Sequence, residues 1–259
     1  MYPILKKELN VTDDDIYLLW NTDGLPISHS SKGDVWLVQA QPLNVPFKYR
    51  RKLQKVIGIY YSRVKKPNMG CFLKPLTISL QDLYKNGIKW FDSKKNEKTT
   101  RVIAPLAPLD APAKAVVMNI MQHNSDCSCP ICEMQGKTVK TGKGHCHVFP
   151  EILPKPILRT KERMRNQGLE ASSLGLENIK GVKGSSIVEL IPGCDRARSF
   201  PPEPLHTLAT GVFKLKLNLW FNPKYHEFDF YIQKKYKKKL MLMLKKLVHQ
   251  IISRDLLEV

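Results

Sequence analysis

Asp15-Ile-Tyr-Leu-Leu-Trp20-Asn-Thr-Asp23-Gly24 is the stretch on which the fold reading turns. Apolar residues run unbroken from Ile16 to Trp20, the pattern of a buried strand, and Asp23-Gly24 reads as the polar turn that closes it. Working outward, Trp36-Leu-Val-Gln-Ala-Gln41 is a second strand stopped by Pro42, and Lys55-Val-Ile-Gly-Ile-Tyr-Tyr61 a third. A helix is expected from about Phe72 to Lys85. Leu73, Leu76, Leu80 and Leu83 recur at spacings of three and four, and Asn86-Gly87 ends the run. The stretch from Arg101 to Leu109 is strand-like, broken by prolines, and delivers Asp110 at its end. A further helix is expected from Ala111 to His123, with Val116, Val117, Ile120 and Met121 on one face.

Three successive strands suit an antiparallel meander, and a strand that follows a helix suits a parallel return. That order predicts a ribonuclease-H-like α/β fold, a mixed sheet flanked by helices. The strands ending in Asp23 and Asp110 would lie side by side at its centre. From Asn124 to Pro201 the texture changes to Cys, His, Pro and Gly, which reads as an irregular insertion. Amphipathic helix returns at Pro204–Phe221 and from about Tyr225 to Ile252. The expected division is 1–123, the first part of the α/β domain; 124–201, the insertion; and 202–259, a basic helical segment.

The 259 residues carry 42 Lys and Arg against 23 Asp and Glu, a formal charge of +19. Hydrophobic residues at 42% and charged residues at 25% suit a folded globular chain and exclude wholesale disorder. No run of 18 apolar residues could cross a membrane, and the N-terminus lacks a secretory pattern. The charge points to a polyanionic partner, nucleic acid before an anionic membrane. Lys234, Lys235, Lys237, Lys238 and Lys239 form the densest charge run. They suit phosphate contact, with Tyr225, Tyr231 and Tyr236 available to stack on bases, or equally the solvated face of a helix.

Asp23 and Asp110, at neighbouring strand ends, could share divalent cations such as Mg²⁺. Two such ions about 4 Å apart can activate an attacking oxygen and stabilise a leaving one in phosphodiester cleavage. The plainer readings are a turn Asp and a helix N-cap ahead of Ala111-Pro112. Cys129-Pro-Ile-Cys132 has the spacing of two thiolate ligands to one Zn²⁺. His145, Cys146, His147 and the more distant His206 compete for the other positions, and Cys127 is a spare thiol. The alternative is a pair of reduced core thiols. A zinc closed by four protein ligands would be structural.

Together these residues resemble the CACTA-type (En/Spm-like) DNA transposases in their animal version. Asn21-Thr-Asp23-Gly-Leu-Pro-Ile-Ser-His-Ser-Ser-Lys32 followed by Trp36 is similar to the family's first-Asp block. Lys66-Pro-Asn-Met-Gly-Cys-Phe-Leu-Lys-Pro75 with Gly87-Ile-Lys-Trp90, and Leu109-Asp110-Ala-Pro-Ala-Lys114, resemble its next two blocks. Leu158-Arg-Thr160, Gly181-Val-Lys-Gly184-Ser-Ser186, Pro204-Leu-His206, Gly211-Val212 and Leu219-Trp-Phe221 continue the order. The resemblance implies a DDE-type domain that cleaves and transfers DNA strands with two Mg²⁺ or Mn²⁺ ions. Asp23 and Asp110 would be the first two carboxylates, and structural Zn²⁺ would sit in the insertion. It further implies DNA as partner, assembly of several copies on DNA, no membrane or small-molecule substrate, and a nuclear protein. Glu203 stands where the family has Asp before its histidine, here His206. Glu227 and Glu258 remain as candidates for the last catalytic Glu, and neither matches its context. The resemblance therefore reads the chain as a truncated copy with an incomplete catalytic set, the alternative being a zinc-stabilised nucleic-acid-binding remnant.

Overall fold

The first strand outruns its apolar run: β1 covers Ile16–Pro26 and passes straight through Asp23-Gly24. Its partner is the reason. β2 (Asp34–Pro42) pairs antiparallel with it from Leu18↔Pro42 to Pro26↔Asp34, and the ladder holds Asp23-Gly24 extended. Glycine is needed at 24 for close approach, because a Cβ there would lie 2.7 Å from the Trp36 indole. The expected polar turn is thus replaced by continuous strand. The computed structural model describes residues 8–26, 33–63, 67–142, 144–150, 153–203, 205–233, 235–236, 238–240 and 242–243. They belong to two compact units, Met1–Pro202 and Glu203–Val259.

In the first unit, helix α1 (Phe47–Leu53) links β2 to β3 (Lys55–Ser62), which pairs antiparallel with β2. After α2 (Met69–Phe72), α3 (Lys74–Lys85) and a hairpin of β4 (Ile88–Phe91) and β5 (Glu97–Thr100), the chain returns as β6 (Val102–Leu106). β6 lies parallel to β1, so the four-stranded sheet has the order β3-β2-β1-β6. The chain is therefore mixed α/β with a mixed sheet flanked by helices. β1 is interior and β6 is the last strand of that sheet. Its outer side is taken by the segment from Pro192 to Pro202. Ala104 N–H donates to Pro192 O (3.0 Å), Ala107 N–H donates to Ser199 O (2.8 Å), and Leu109 bridges Pro202 in parallel.

The main core lies on one sheet face. Trp20, Trp36, Val38 and Ala40 alternate onto it and meet Leu73 and Leu80 of the helical segment, Met164 and Phe200. Trp20 and Phe200 pack edge to face at 6.2 Å, a favoured arrangement of ring quadrupoles. The single helix expected over 72–85 is two helices with a joint at Leu73. Pro75 has no N–H to continue the first and is at home in the first turn of the second.

Helix α4 (Ala111–Val117) is shorter than the expected 111–123. Its last carbonyls go elsewhere. Ser186 Oγ donates to Val117 O, Arg196 Nε donates to Met118 O, and Arg196 Nη2 donates to Asn119 O. The chain turns away at Asn119, which has φ 49°. The 124–201 region holds a hairpin, β7 (Lys137–Thr141) with β8 (Gly144–Val148), and a fourteen-residue helix, α5 (Lys161–Leu174). Thr160 caps α5, and Gly168 lets it touch the Gly184 carbonyl, where a Cβ would stand 2.7 Å from that oxygen.

The second unit begins with a π-helix over Leu205–Phe213 that runs into α6 (Lys214–Phe221). The helix expected from Tyr225 starts later. Asn222 caps a short turn at Pro223–Tyr225, and successive turns bring Phe228 and Phe230 against the Tyr225 ring. Lys234, Lys237, residues 244–259 with Glu258, and residues 27–32 of the first-Asp block lie outside the described residues.

Candidate functional site

Asp23 lies on β1, and Asp110 follows its parallel neighbour β6. β1 and β6 pair as Ile16↔Val102, Tyr17↔Ile103 and, after a bulge, Leu19↔Leu106. Asp23 lies within β1, three residues before its end at Pro26, and Asp110 lies four residues beyond the end of β6 at Leu106, where the next helix starts. Asp23 is exposed, and its Oδ1 accepts the Gly24 N–H at 2.7 Å. Asp110 is half-buried and caps α4, its Oδ1 accepting the Ala113 N–H at 2.8 Å. The N-cap geometry occupies one oxygen of Asp110.

The start of this strand pair is locked by an ion pair that the sequence patterns did not mark. Asp15 is 2% exposed, immediately before β1, and Arg101 immediately precedes β6. Arg101 Nη2 donates to Asp15 Oδ2 at 2.7 Å, its Nε donates to Oδ1 at 3.2 Å, and its backbone N–H donates to Oδ1 at 3.0 Å. Burial alone would raise the Asp15 carboxyl, but the Arg101 hydrogen bonds and charge, with the Thr12 N–H, outweigh it and hold it below the ordinary value. The clamp fixes the start of the β1–β6 pair, one residue before Ile16↔Val102.

Cys129 and Cys132 are close enough to interact, and each thiol faces a backbone N–H. Ile131 N–H donates to Cys129 Sγ at 3.4 Å, and the Met134 backbone donates to Cys132. Burial pushes the Cys127 and Cys132 thiols up. Arg159, 5% exposed, opposes this with positive charge beside all three cysteines. Its Nε donates to Cys129 O at 2.8 Å, and its Nη2 donates to Cys127 O and to Lys180 O, the latter at 2.9 Å. Gly181 abuts the Cys127 carbonyl with φ 81°, a region open to glycine. The Arg159 and Gly181 blocks thus meet around the cysteine turn.

His145 and His147 share one face of β8, two residues apart, and Cys146 points to the other. His147 Nε2 is buried, 3.4 Å from Asp126 Oδ1, without hydrogen-bond geometry, and Gly136 gives its ring room. Among the described residues, no three His, Cys, Asp or Glu side chains are grouped as they stand to hold a metal ion. Cys129 and Cys132 lie together, and among the described residues the histidines proposed from sequence are not gathered with them. In the second unit, Glu203 Oε2 accepts the His206 backbone N–H at 2.6 Å and lies 2.8 Å from His206 Nδ1. This acidic residue orients the histidine three positions on. Of the lysine run, Lys235, Lys238 and Lys239 are exposed, with Lys235 Nζ 5.0 Å over the Tyr236 ring.

A second buried arginine went unnoticed in the sequence. Arg196 is fully buried, and besides Met118 O and Asn119 O it holds Gly184 O at 2.9 Å and Glu189 Oε1 at 2.9 Å. Nothing local distinguishes it or Arg159 from the 42 Lys and Arg of the chain. Each is identified only by the carbonyls that converge on it. Two resemblance blocks, Pro67–Gly70 and Ser185–Ser186, face each other across a cavity of about 360 Å³.

No helix among the described residues is long and apolar enough to cross a membrane. No known protein-family model matches the chain, and no curated protein matches it either.

Proposed function

We propose that this chain carries part of a DDE-type transposase catalytic domain, with a ribonuclease-H-like fold and Asp23 and Asp110 as its first two carboxylates. What supports the reading is that Asp23 lies on β1 and Asp110 follows β6, the parallel neighbour of β1, by four residues. A divalent cation bound there would polarise a phosphodiester and activate its attacking oxygen. On this reading the chain's own part is to supply the two carboxylates, with α4 fixing the Asp110 rotamer through the Ala113 N–H. DNA is the proposed partner, bound by an assembly of several copies in the nucleus. The basic balance of +19 supports a polyanionic substrate.

The test is Mn²⁺ binding by calorimetry on the full chain, with nicking of supercoiled DNA as a second readout. Either Asp23→Asn or Asp110→Asn should weaken Mn²⁺ at least about tenfold and abolish nicking, since each removes a hard oxygen charge from a small site. Unchanged Mn²⁺ affinity in both variants would overturn the shared site. Binding of DNA unaffected by either variant, with no nicking by the parent, would select the alternative, a nucleic-acid-binding remnant.

We also propose Zn²⁺ at Cys129 and Cys132. The two sulfurs lie close enough to interact and each accepts a backbone N–H, which supports a shared ion between them. Purified chain should contain about one zinc, and Cys129→Ser with Cys132→Ser should remove it and lower the melting temperature. A parent free of zinc after purification with added Zn²⁺ would refute the site.

A further inference from the structure

Helix α1 buries none of its side chains. Phe47 is 84% exposed and Tyr49 47%, Lys48, Arg51, Lys52 and Leu53 stand out in solvent, and Arg50 is held by its Nε donating to Val45 O. A helix of seven residues with no buried side chain gains little from its own sheet. The strand that follows continues the same surface. Lys55, Val56, Ile57 and Ile59 are all exposed on β3, which pairs with β2 on one side and, among the described residues, with no strand on the other.

Charge decides what this surface suits. From Val35 to Gln81, 47 residues, the sequence has no Asp or Glu but nine Lys and Arg. Five of them, Lys48, Arg50, Arg51, Lys52 and Lys55, fall on α1 and the start of β3. The acids of the sheet stand away from it. Asp34 is opposite Ser62 at the far end of β3, Asp13 and Asp14 precede β1 two strands over, and Asp15 is neutralised by Arg101. A second copy of this chain would meet like charge with like charge. Exposed aromatic rings interleaved with cations fit unpaired bases and phosphates.

We propose that α1 and the first half of β3 form a single-stranded nucleic-acid interface, with Arg51, Lys52 and Lys55 on phosphates and Phe47 and Tyr49 stacking on bases. The β1–β2 register places α1 at the end of the sheet opposite Asp23, so this surface is separate from the acidic pair and does not depend on its role.

The experiment is fluorescence anisotropy with a labelled twenty-nucleotide oligo-dT and the corresponding duplex, in chelator-free buffer without Mg²⁺ or Mn²⁺, over a salt series. Without those ions the acidic pair cannot contribute through a hard cation, so this test is independent of the Mn²⁺ measurement. Arg51→Glu with Lys52→Glu and Lys55→Glu should weaken the single strand more than about thirtyfold near 0.15 M salt and flatten the log–log salt slope by about 2. A control of equal charge change, Lys137→Glu with Lys140→Glu and Lys155→Glu, should cost several-fold less. Phe47→Ser with Tyr49→Ser, both solvent-facing, should weaken oligo-dT about tenfold with the salt slope and the duplex affinity unchanged. Equal losses in the patch and control variants would overturn the proposal in favour of charge spread over the whole chain. So would displacement of oligo-dT by an equal charge of poly-glutamate, which would indicate an acidic protein partner.

Discussion

Replacing Arg196 by alanine is expected to cost about 4 kcal/mol, enough to leave a domain of ordinary stability near its unfolding threshold. The guanidinium is wholly inside and donates to three carbonyls, Met118, Asn119 and Gly184, and to the Glu189 carboxylate. Alanine orphans all four acceptors at once, and a buried acceptor without a donor costs about 1–3 kcal/mol before relaxation. Glu189 keeps some access to water, which moderates the loss. Arg196→Lys preserves charge but offers a single nitrogen in place of a planar fork, so it should recover less than half of the loss. Urea denaturation gives the answer directly. A midpoint unchanged in Arg196→Ala would show that water enters and serves these carbonyls equally well.

The second large effect is at the clamp that sets the β1–β6 register. Asp15→Asn should lose about 3 kcal/mol at pH 7, because it leaves Arg101 facing a neutral amide and keeps only part of the hydrogen bonding. The pH dependence follows from the direction of the Asp15 shift. Its carboxyl is held below the ordinary value in the folded chain, against about 3.9 in the unfolded one. The contribution is therefore fully present above pH ~5 and disappears as pH falls through the folded-state value. Wild type and Asp15→Asn should thus converge in stability towards pH ~2 and diverge towards neutrality. Glu133, likewise held low by Arg163 and Gln167 against its burial, adds an acid-labile contribution common to both proteins. A stability gap independent of pH would mean that shape at position 15, rather than charge, makes the clamp.

Both effects involve groups that hold strands and loops in place around the acidic pair, not the pair itself. Asp23 is exposed and Asp110 half-buried at a helix start. Their substitution by asparagine should leave stability nearly untouched, which is the behaviour that lets a metal-binding defect be told from an unfolding defect.

The sheet was legible because its strands announce themselves by continuous apolar runs. Ile16–Trp20, Trp36–Gln41 and Lys55–Tyr61 each fall within an observed strand, and the Pro-broken run after Arg101 contains β6. Sequence order also implied the antiparallel meander and parallel return, since short connections join antiparallel neighbours and a long one is needed for a parallel pair. Cys129 and Cys132 were legible as a pair for a similar reason: two intervening residues bring the thiols together locally. The strand through Asp23-Gly24 was not legible, because a dipeptide that favours turns was overruled by nine ladder partners on β2. The early end of α4 was not legible either, because Ser186 and Arg196, more than sixty residues away, take its carbonyls. The same holds for Arg159 beside the cysteines and for α1, whose aromatic residues stand exposed. By itself the sequence determined what is local and periodic: strand identity, the cysteine spacing, the excess of positive charge. Only the tertiary structure decided which long-range partners satisfy which backbone groups, because a carbonyl, an arginine or an aromatic ring carries no mark in the sequence of what it will meet.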